Sequence, residues 1–326
     1  MSAPSLLYLS RDDVAGLGLP MADVLTAVEE SFRRKGRGEV QLPAKVGVVA
    51  DGGAFAHAMP AFVPAARALG VKWIGVFPDN PARGLPTTSG LIVLDDPETG
   101  LPLAVMDAAV VTSLRTGASA GVAARFLARE GAQVAAVVGC GVQGRSSLRA
   151  LAEALPALRE VRCRDTSEAA VRSFVAELGS LRTDLELRIC DAAPDAVRGA
   201  DVVVTAIPMG VGRPPLDAGL LGRGALAVTL DYDSAWTPAA LVQADRLVTD
   251  DLDQTLATKA AGSYFAGLPE IDADLGRIVA GLEPGRLNGG QRIFCLNLGI
   301  ATHDMLTARL VYDRALAVSA GTRLPL

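Results

Sequence analysis

Four cationic side chains stand in stretches whose neighbours are mostly apolar or small. Lys45 follows Leu42-Pro43-Ala44 and precedes Val46-Gly47-Val48-Val49. Lys72 lies within Leu69-Gly-Val-Lys-Trp-Ile-Gly-Val76, Arg83 within Asn80-Pro-Ala-Arg-Gly84, and Arg115 within Thr112-Ser-Leu-Arg-Thr-Gly-Ala118. Lysine and arginine are almost never buried unless they are paired. Two such cations converging on one pocket would clamp a carboxylate, with arginine offering a planar fork and lysine a point charge. A lysine inside a strand can equally mark an exposed face or an edge.

A second constellation follows. Val134-Ala-Ala-Val-Val138 runs into Gly139-Cys-Gly141-Val-Gln-Gly144, a G-x-G-x-x-G series at the end of an apolar strand. The first glycine permits a tight turn, the second lets backbone approach a pyrophosphate, and the third lets the next helix pack close to the strand. Residues 145–155 read as that helix, whose N-terminus offers N–H groups and a positive dipole end to phosphates. A second strand, Glu160-Val-Arg-Cys-Arg-Asp165, ends in an acid 21 residues after Gly144. A carboxylate there receives the hydroxyls of an adenine ribose and repels a 2′-phosphate, so NAD(H) is favoured over NADP(H). Arg162, Arg164, Thr166 and Ser167 could receive a phosphate if Asp165 turned away.

These residues need elements to position them. From Gln133 onward short apolar strands alternate with helices. Strands are expected at 133–138, 161–165, 185–190, 201–207, 225–231 and 246–249, and helices at 167–178 and 237–244. Near-continuous apolar strands separated by helices mean a parallel sheet covered on both faces, a doubly wound Rossmann-type α/β fold. Residues 1–110 differ. Pro20 and Gly36 bracket a helix over 21–35. Strand-like pieces at 45–49, 54–58, 70–76, 90–94 and 103–106 are broken by turn signals such as Asp51-Gly-Gly53 and Asp95-Asp-Pro-Glu-Thr-Gly100. This reads as an antiparallel α+β domain, joined to the next by a long helix over 112–129. Helical spacing over 301–320, ended by Gly321, is expected to return the chain to the first domain. The expected domains are therefore 1–115 with 300–326, for substrate binding and dimerisation, and 116–299 for the dinucleotide.

The bulk composition narrows the function classes. Half of the 326 residues are hydrophobic, enough for large cores, and the net charge is −5 with dispersed basic residues, which argues against nucleic acid. No long apolar run lacks charge, so no membrane helix is expected, and the N-terminus lacks the basic region of a signal peptide. Cys140, Cys163, Cys190 and Cys295 show no metal spacing, and with only 2 histidines no metal site is expected. They read as reduced structural cysteines of a cytoplasmic protein.

The ordered series is more specific than any one motif. It runs through Thr99-Gly-Leu-Pro-Leu-Ala104, Leu114-Arg-Thr-Gly-Ala118 and Gly139-Cys-Gly-Val-Gln-Gly144, with Met59-Pro60 upstream and Asn297-Leu-Gly-Ile-Ala-Thr-His-Asp304 near the end. In this the chain resembles the ornithine cyclodeaminase/μ-crystallin family along nearly its whole length. The resemblance implies a Rossmann domain plus a dimerisation domain, hence a homodimer, a nicotinamide cofactor and a small amino or imino acid substrate. It implies carboxylate contacts from Lys45, Lys72 and Arg115, with Thr88 of the Thr87-Thr88 pair near the nicotinamide. The cofactor set is Gly139, Gly141, Val142, Gln143, Gly144, Asp165, Thr205 and Thr116. Lys72 and Asp233 carry the chemistry. Asp233 aligns with the family's catalytic aspartate, and Asp231, where many members have glycine, is the alternative proton donor.

Two departures shape the functional expectation. Lys45 replaces a common arginine and gives up its bidentate geometry. His57 stands two residues before Met59, where ornithine cyclodeaminases carry a glutamate suited to a substrate ammonium. As a substrate contact it would favour a different side chain; as a core histidine it would be hydrogen-bonded. The expected activity is therefore NAD(P)H-dependent reduction of a small α-imino acid or cyclic ketimine. The alternatives are an ornithine or lysine cyclodeaminase using catalytic NAD, and a nucleotide-binding protein without turnover. Residues of the 40–75 region and loops after Asp233, such as Trp236, are expected to shape the side-chain pocket.

Overall fold

The structure is a computed structural model and describes residues 4–210, 212 and 214–326. Residues 1–3 of the expected first domain lie outside the described residues. The chain opens with β1 (Ser5–Leu9), α1 (Arg11–Gly16) and α2 (Met21–Gly36). Next come β2 (Val46–Val49), β3 (Phe55–Val63), β4 (Ala68–Val76), β5 (Thr88–Asp95), β6 (Pro102–Asp107) and α3 (Ala108–Leu127). Strands and helices then alternate: β7 (Val134–Val138), α4 (Val142–Ala154), β8 (Glu160–Arg164), α5 (Glu168–Leu178), β9 (Glu186–Ile189), α6 (Ala193–Val197), β10 (Val202–Thr205) and β11 (Leu226–Thr229). After these come α7 (Pro238–Val242), β12 (Arg246–Thr249), α8 (Leu252–Ala260), β13 (Ala273–Asp274), α9 (Leu275–Val279) and β14 (Ile293–Leu296). The chain ends with α10 (Ala301–Ala317) and β15 (Thr322–Pro325). Two compact units result, residues 1–115 with 300–326 and residues 116–299.

In the first unit, seven strands form one sheet in the order β15-β1-β6-β5-β4-β3-β2. The strands from β2 to β6 pair antiparallel, as the turn signals between them require. The sheet departs from the expected all-antiparallel form at one edge, where β1 pairs parallel with β6 and antiparallel with β15. Both missed strands are short terminal segments whose pairing is set by tertiary contacts rather than by local turns. Helix α10 packs on β3, β4 and β5, and α2 packs on α10. On α2, Val24, Leu25, Val28 and Phe32 form a fully buried stripe, each contributing about 1.5–3 kcal/mol by leaving water.

The second unit is an eight-stranded sheet in the order β13-β12-β14-β11-β10-β7-β8-β9. All of its pairings are parallel. This is the doubly wound Rossmann arrangement. The strand order reverses at β7 and β10, and ligands of such sheets bind beyond the carboxyl ends of the strands at that point. Strand β14, buried throughout between β11 and β12, carries Cys295 and had no bounds in the sequence reading, because a four-residue apolar run shows no period to distinguish it from helix.

Candidate active site

Three of the four apolar-context cations meet in the first unit. Register places Lys72 opposite Met59 on β3 and Ile92 on β5, and His57 opposite Gly47 on β2 and Ile74 on β4. Side chains alternate along strands, so His57, Met59, Lys72 and Ile74 share one sheet face. Lys45, two residues before Gly47, continues that parity, and so does Thr88, opposite Val76. The His57 ring lies over Gly47, where an added Cβ would fall 2.5 Å from His57 Cδ2. Arg115 arrives on α3, whose buried positions Ala108, Val111, Arg115, Ala118 and Val122 repeat at helical spacing. Arg83 is exposed in the turn 80–83 and makes no ion pair among the described residues.

What joins the cations is an acid the sequence analysis did not single out. Asp304, in the first turn of α10, is fully buried. Its Oδ2 lies 2.7 Å from Lys72 Nζ and its Oδ1 accepts from Arg115 Nε at 2.9 Å. Neither terminal nitrogen of Arg115, Nη1 or Nη2, has a hydrogen-bond partner among the described residues. A free guanidinium fork beside a buried ammonium can receive a carboxylate. Burial pulls the Lys72 ammonium down to about 7, aided by Arg115 and opposed by Asp304. Burial and the neighbouring Lys45 and Lys72 hold His57 at about 4, so its ring is neutral at physiological pH. The signal for Asp304 was a lone acid among apolar residues near a helix start.

The second unit presents the glycine loop. Gly139 has φ +102°, and an added Cβ would meet Ala206 O at 2.4 Å. At Gly144 a Cβ would lie 2.0 Å from Gly139 O, whereas at Gly141 it would meet nothing. The outer glycines are thus closed in by backbone, and the middle one leaves open space beside an N-terminus with no side-chain cap. Val142 is 61% exposed, and the buried Gln143 Oε1 has no partner. Asp165 is fixed at the loop: its Oδ2 accepts from Cys140 N–H at 2.8 Å and its Oδ1 from Ser167 N–H at 2.9 Å. These residues fit a dinucleotide, whose pyrophosphate the open loop at Gly141 and the N-terminus of α4 would hold. Thr116 is half-buried on α3, next to Gly117, whose backbone lies against Ser146 of α4.

Beyond β11 the two candidate aspartates separate. Asp231 is buried, accepting from Thr205 Oγ1 at 2.9 Å and Ile207 N–H at 3.0 Å. Burial, helped by Asp233, raises it to about 7 against those two hydrogen bonds. The hydroxyl of Thr205, a residue expected beside the cofactor, is buried and donates to Asp231. Asp233 is half-buried and lines a cavity of about 250 Å³ with Ser234, Pro238, Ser263 and Tyr264. Its Oδ2 accepts from Phe265 N–H at 2.6 Å, and Oδ1 has no partner among the described residues. Tyr232 and Phe265 both have positive φ, +59° and +63°. Such conformations in bulky residues concentrate at functional sites.

The chain matches the ornithine cyclodeaminase/mu-crystallin family model over residues 8–319. It belongs to that family. The alanine dehydrogenase of Archaeoglobus fulgidus is 33% identical over 325 residues, covering 98% of each chain. An archaeal alanine dehydrogenase dimer with bound NAD superposes with a TM-score of 0.89 at 32% identity, covering 99% of this chain and 100% of the other. The Thermococcus litoralis Δ1-pyrroline-2-carboxylate reductase, in complex with NADH and L-proline, gives 0.86 at 28% identity, covering 97% and 99%. Within this member of the ornithine cyclodeaminase/mu-crystallin family, Trp236 departs from its expected place in a side-chain pocket. It is fully buried and packs edge-on against Phe294 with centroids 5.0 Å apart. Its large apolar ring is core, and Ser263 and Tyr264, which the sequence analysis missed, line the cavity instead.

Proposed function

We propose that the protein is a nicotinamide-dependent oxidoreductase that reduces a small α-imino acid or cyclic ketimine to the amino acid. The observation that carries this reading is the buried Lys72–Asp304–Arg115 group with the Arg115 fork unengaged, in a chain that also holds a complete dinucleotide loop. Lys45, Lys72 and Arg115 anchor the substrate carboxylate, and Thr88 lies on the same sheet face. Asp233 supplies or retains the proton on the imine nitrogen, which makes the adjacent carbon a better hydride acceptor. The bound cofactor supplies the hydride. The test is NADH or NADPH oxidation with α-keto acids plus ammonia or methylamine, and with Δ1-pyrroline-2-carboxylate and Δ1-piperideine-2-carboxylate. Absence of oxidation with all of them, alongside ammonia release from ornithine or lysine, would make the protein a cyclodeaminase. His57 disfavours that outcome: a neutral imidazole close to Lys45 and Lys72 offers no anion to a substrate ammonium.

NAD(H) is the preferred cofactor in this reading. Asp165 accepts one backbone N–H from the glycine loop, that of Cys140, and one from Ser167 two residues on, and a carboxylate held beside the loop would repel a 2′-phosphate. Asp165→Ser is expected to raise the NADPH/NADH ratio of kcat/KM by roughly 10–100-fold, the size of one removed like-charge contact. An unchanged ratio would remove the residue from cofactor choice.

The first unit also carries the dimer reading. The face of its sheet opposite Lys72 shows a row of Tyr8, Val105, Val93, Val71 and Pro60. Beside it run Leu91, Trp73, Ala58 and Val46. Leu91, Trp73 and Val46 are 47%, 48% and 68% exposed. A contiguous apolar face of this kind is covered in solution, and a second copy is the proposed cover. Sedimentation of the protein as a monomer at micromolar concentration would contradict it.

A further inference from the structure

We infer that Asp304 is a positioning residue of the carboxylate site, holding Lys72 and Arg115 in one fixed arrangement for the substrate. The inference rests on the reading that those two cations bind the substrate carboxylate. Two buried cations repel, and the low-dielectric surroundings strengthen that repulsion. Asp304 offsets it with separate oxygens, one for Lys72 Nζ and one for Arg115 Nε. Taking the guanidinium through Nε leaves both Nη groups of Arg115 for an incoming carboxylate. A bidentate grip by Asp304 would have engaged at least one of them.

The structure also fixes Asp304 itself. Each neighbouring residue in the first turn of α10 is held by another element. Ser31 Oγ on α2 donates to Thr302 Oγ1 at 2.8 Å. The His303 ring packs edge-on against Phe32 with centroids 4.4 Å apart. Met305 lies over Gly70 on β4, where an added Cβ would fall 3.1 Å from its sulfur. Gly70 is two residues before Lys72, so this close approach brings the helix turn to the lysine. The N-terminal end of the α10 dipole attracts a negative charge placed there.

The groups facing Lys72 are Arg115 from α3, Lys45 from the segment before β2, His57 from β3, and Asp304 and His303 from α10; Lys35 of α2 bears on His303. Asp304 is the anion among them, while burial keeps both histidines neutral. Losing its charge therefore leaves the ammonium of Lys72 opposed by cations alone.

The experiment compares Asp304→Asn, Asp304→Glu, Lys72→Met and the double variant Asp304→Asn/Lys72→Met. Steady-state kinetics are measured from pH 5.5 to 9.5, with NADH affinity and melting temperature followed in parallel. Asp304→Asn is expected to lower kcat/KM about 100-fold, mostly through KM, with NADH affinity unchanged. The alkaline limb of kcat/KM is expected to move to lower pH, because the protonated lysine has lost its anion. In the Lys72→Met background the same change should cost several-fold less than in the wild type. Asp304→Glu, which keeps the charge but moves it by one methylene, should retain the alkaline limb and raise KM; it also carries the test if the asparagine variant does not fold. An unmoved limb with fully additive effects, or a wild-type KM for Asp304→Glu, would overturn the inference. If no imine is turned over at all, the reductase reading fails by itself. Calorimetric binding of pyruvate in the presence of NADH then tests Asp304 directly: weakened binding in Asp304→Asn supports its role and unchanged binding overturns it.

Discussion

Arg115→Ala is expected to lower kcat/KM about 30-fold to several-thousand-fold, the equivalent of roughly 2–5 kcal/mol lost from a desolvated charge pair. The guanidinium is 8% exposed in its side chain and already anchored by Asp304. It therefore needs little further ordering to receive a carboxylate, and its removal also leaves Asp304 with one cation. Arg115→Lys keeps the charge but loses the fork, so it should recover only part of the loss. Lys72→Met should have a comparable effect. Near-normal kcat/KM in both Arg115→Ala and Lys72→Met, measured with the best imine substrate, would remove the carboxylate clamp from the account.

The same group sets a pH dependence. Lys72 is brought down to about 7 chiefly by burial, then by Arg115. Its charged form binds the carboxylate, so kcat/KM is present below that pH and falls as pH rises through it. Bound substrate adds a negative charge and favours the protonated lysine. The alkaline limb of kcat should therefore lie at higher pH than that of kcat/KM.

Asp233→Asn is expected to lower kcat by about 10²–10⁴-fold, the usual contribution of a positioned acid, while NADH binding stays near normal. The adjacent Asp231 separates chemistry from architecture. Asp231 is buried behind Thr205 and Ile207, whereas Asp233 borders the cavity. Asp231→Asn retains an acceptor for one of those two donors and should leave kcat within about tenfold of the wild type, with the loss read mainly in melting temperature. The reverse ranking, with Asp231→Asn abolishing turnover and Asp233→Asn sparing it, would move the proton donor to Asp231.

The glycine loop was legible in the sequence because each glycine answers a local demand: a positive φ at Gly139, close backbone packing at Gly144 and open space at Gly141. The same holds for the hairpin sheet, where turn residues fix the pairing. Lys72 and Arg115 drew notice because charge in an apolar segment needs a partner. The partner itself was not legible. Asp304 comes from the far end of the chain, and only the packing of α10 on β4 brings it to Lys72. Trp236 failed as an expected pocket residue for a related reason. Proximity in sequence to a catalytic segment does not say which way a residue faces, and Trp236 turns into the core. Strand β14 carried no periodicity because it is buried on both faces.

The most direct test of the central claim is a turnover experiment with NADH carrying deuterium at both C4 positions of the nicotinamide and the imine substrate found by screening. The account predicts one NADH oxidised per amino acid formed, with deuterium at the former C=N carbon of the product. Ammonia released from an amino acid without net NADH oxidation, or a reduced product with no deuterium at that carbon, would contradict it.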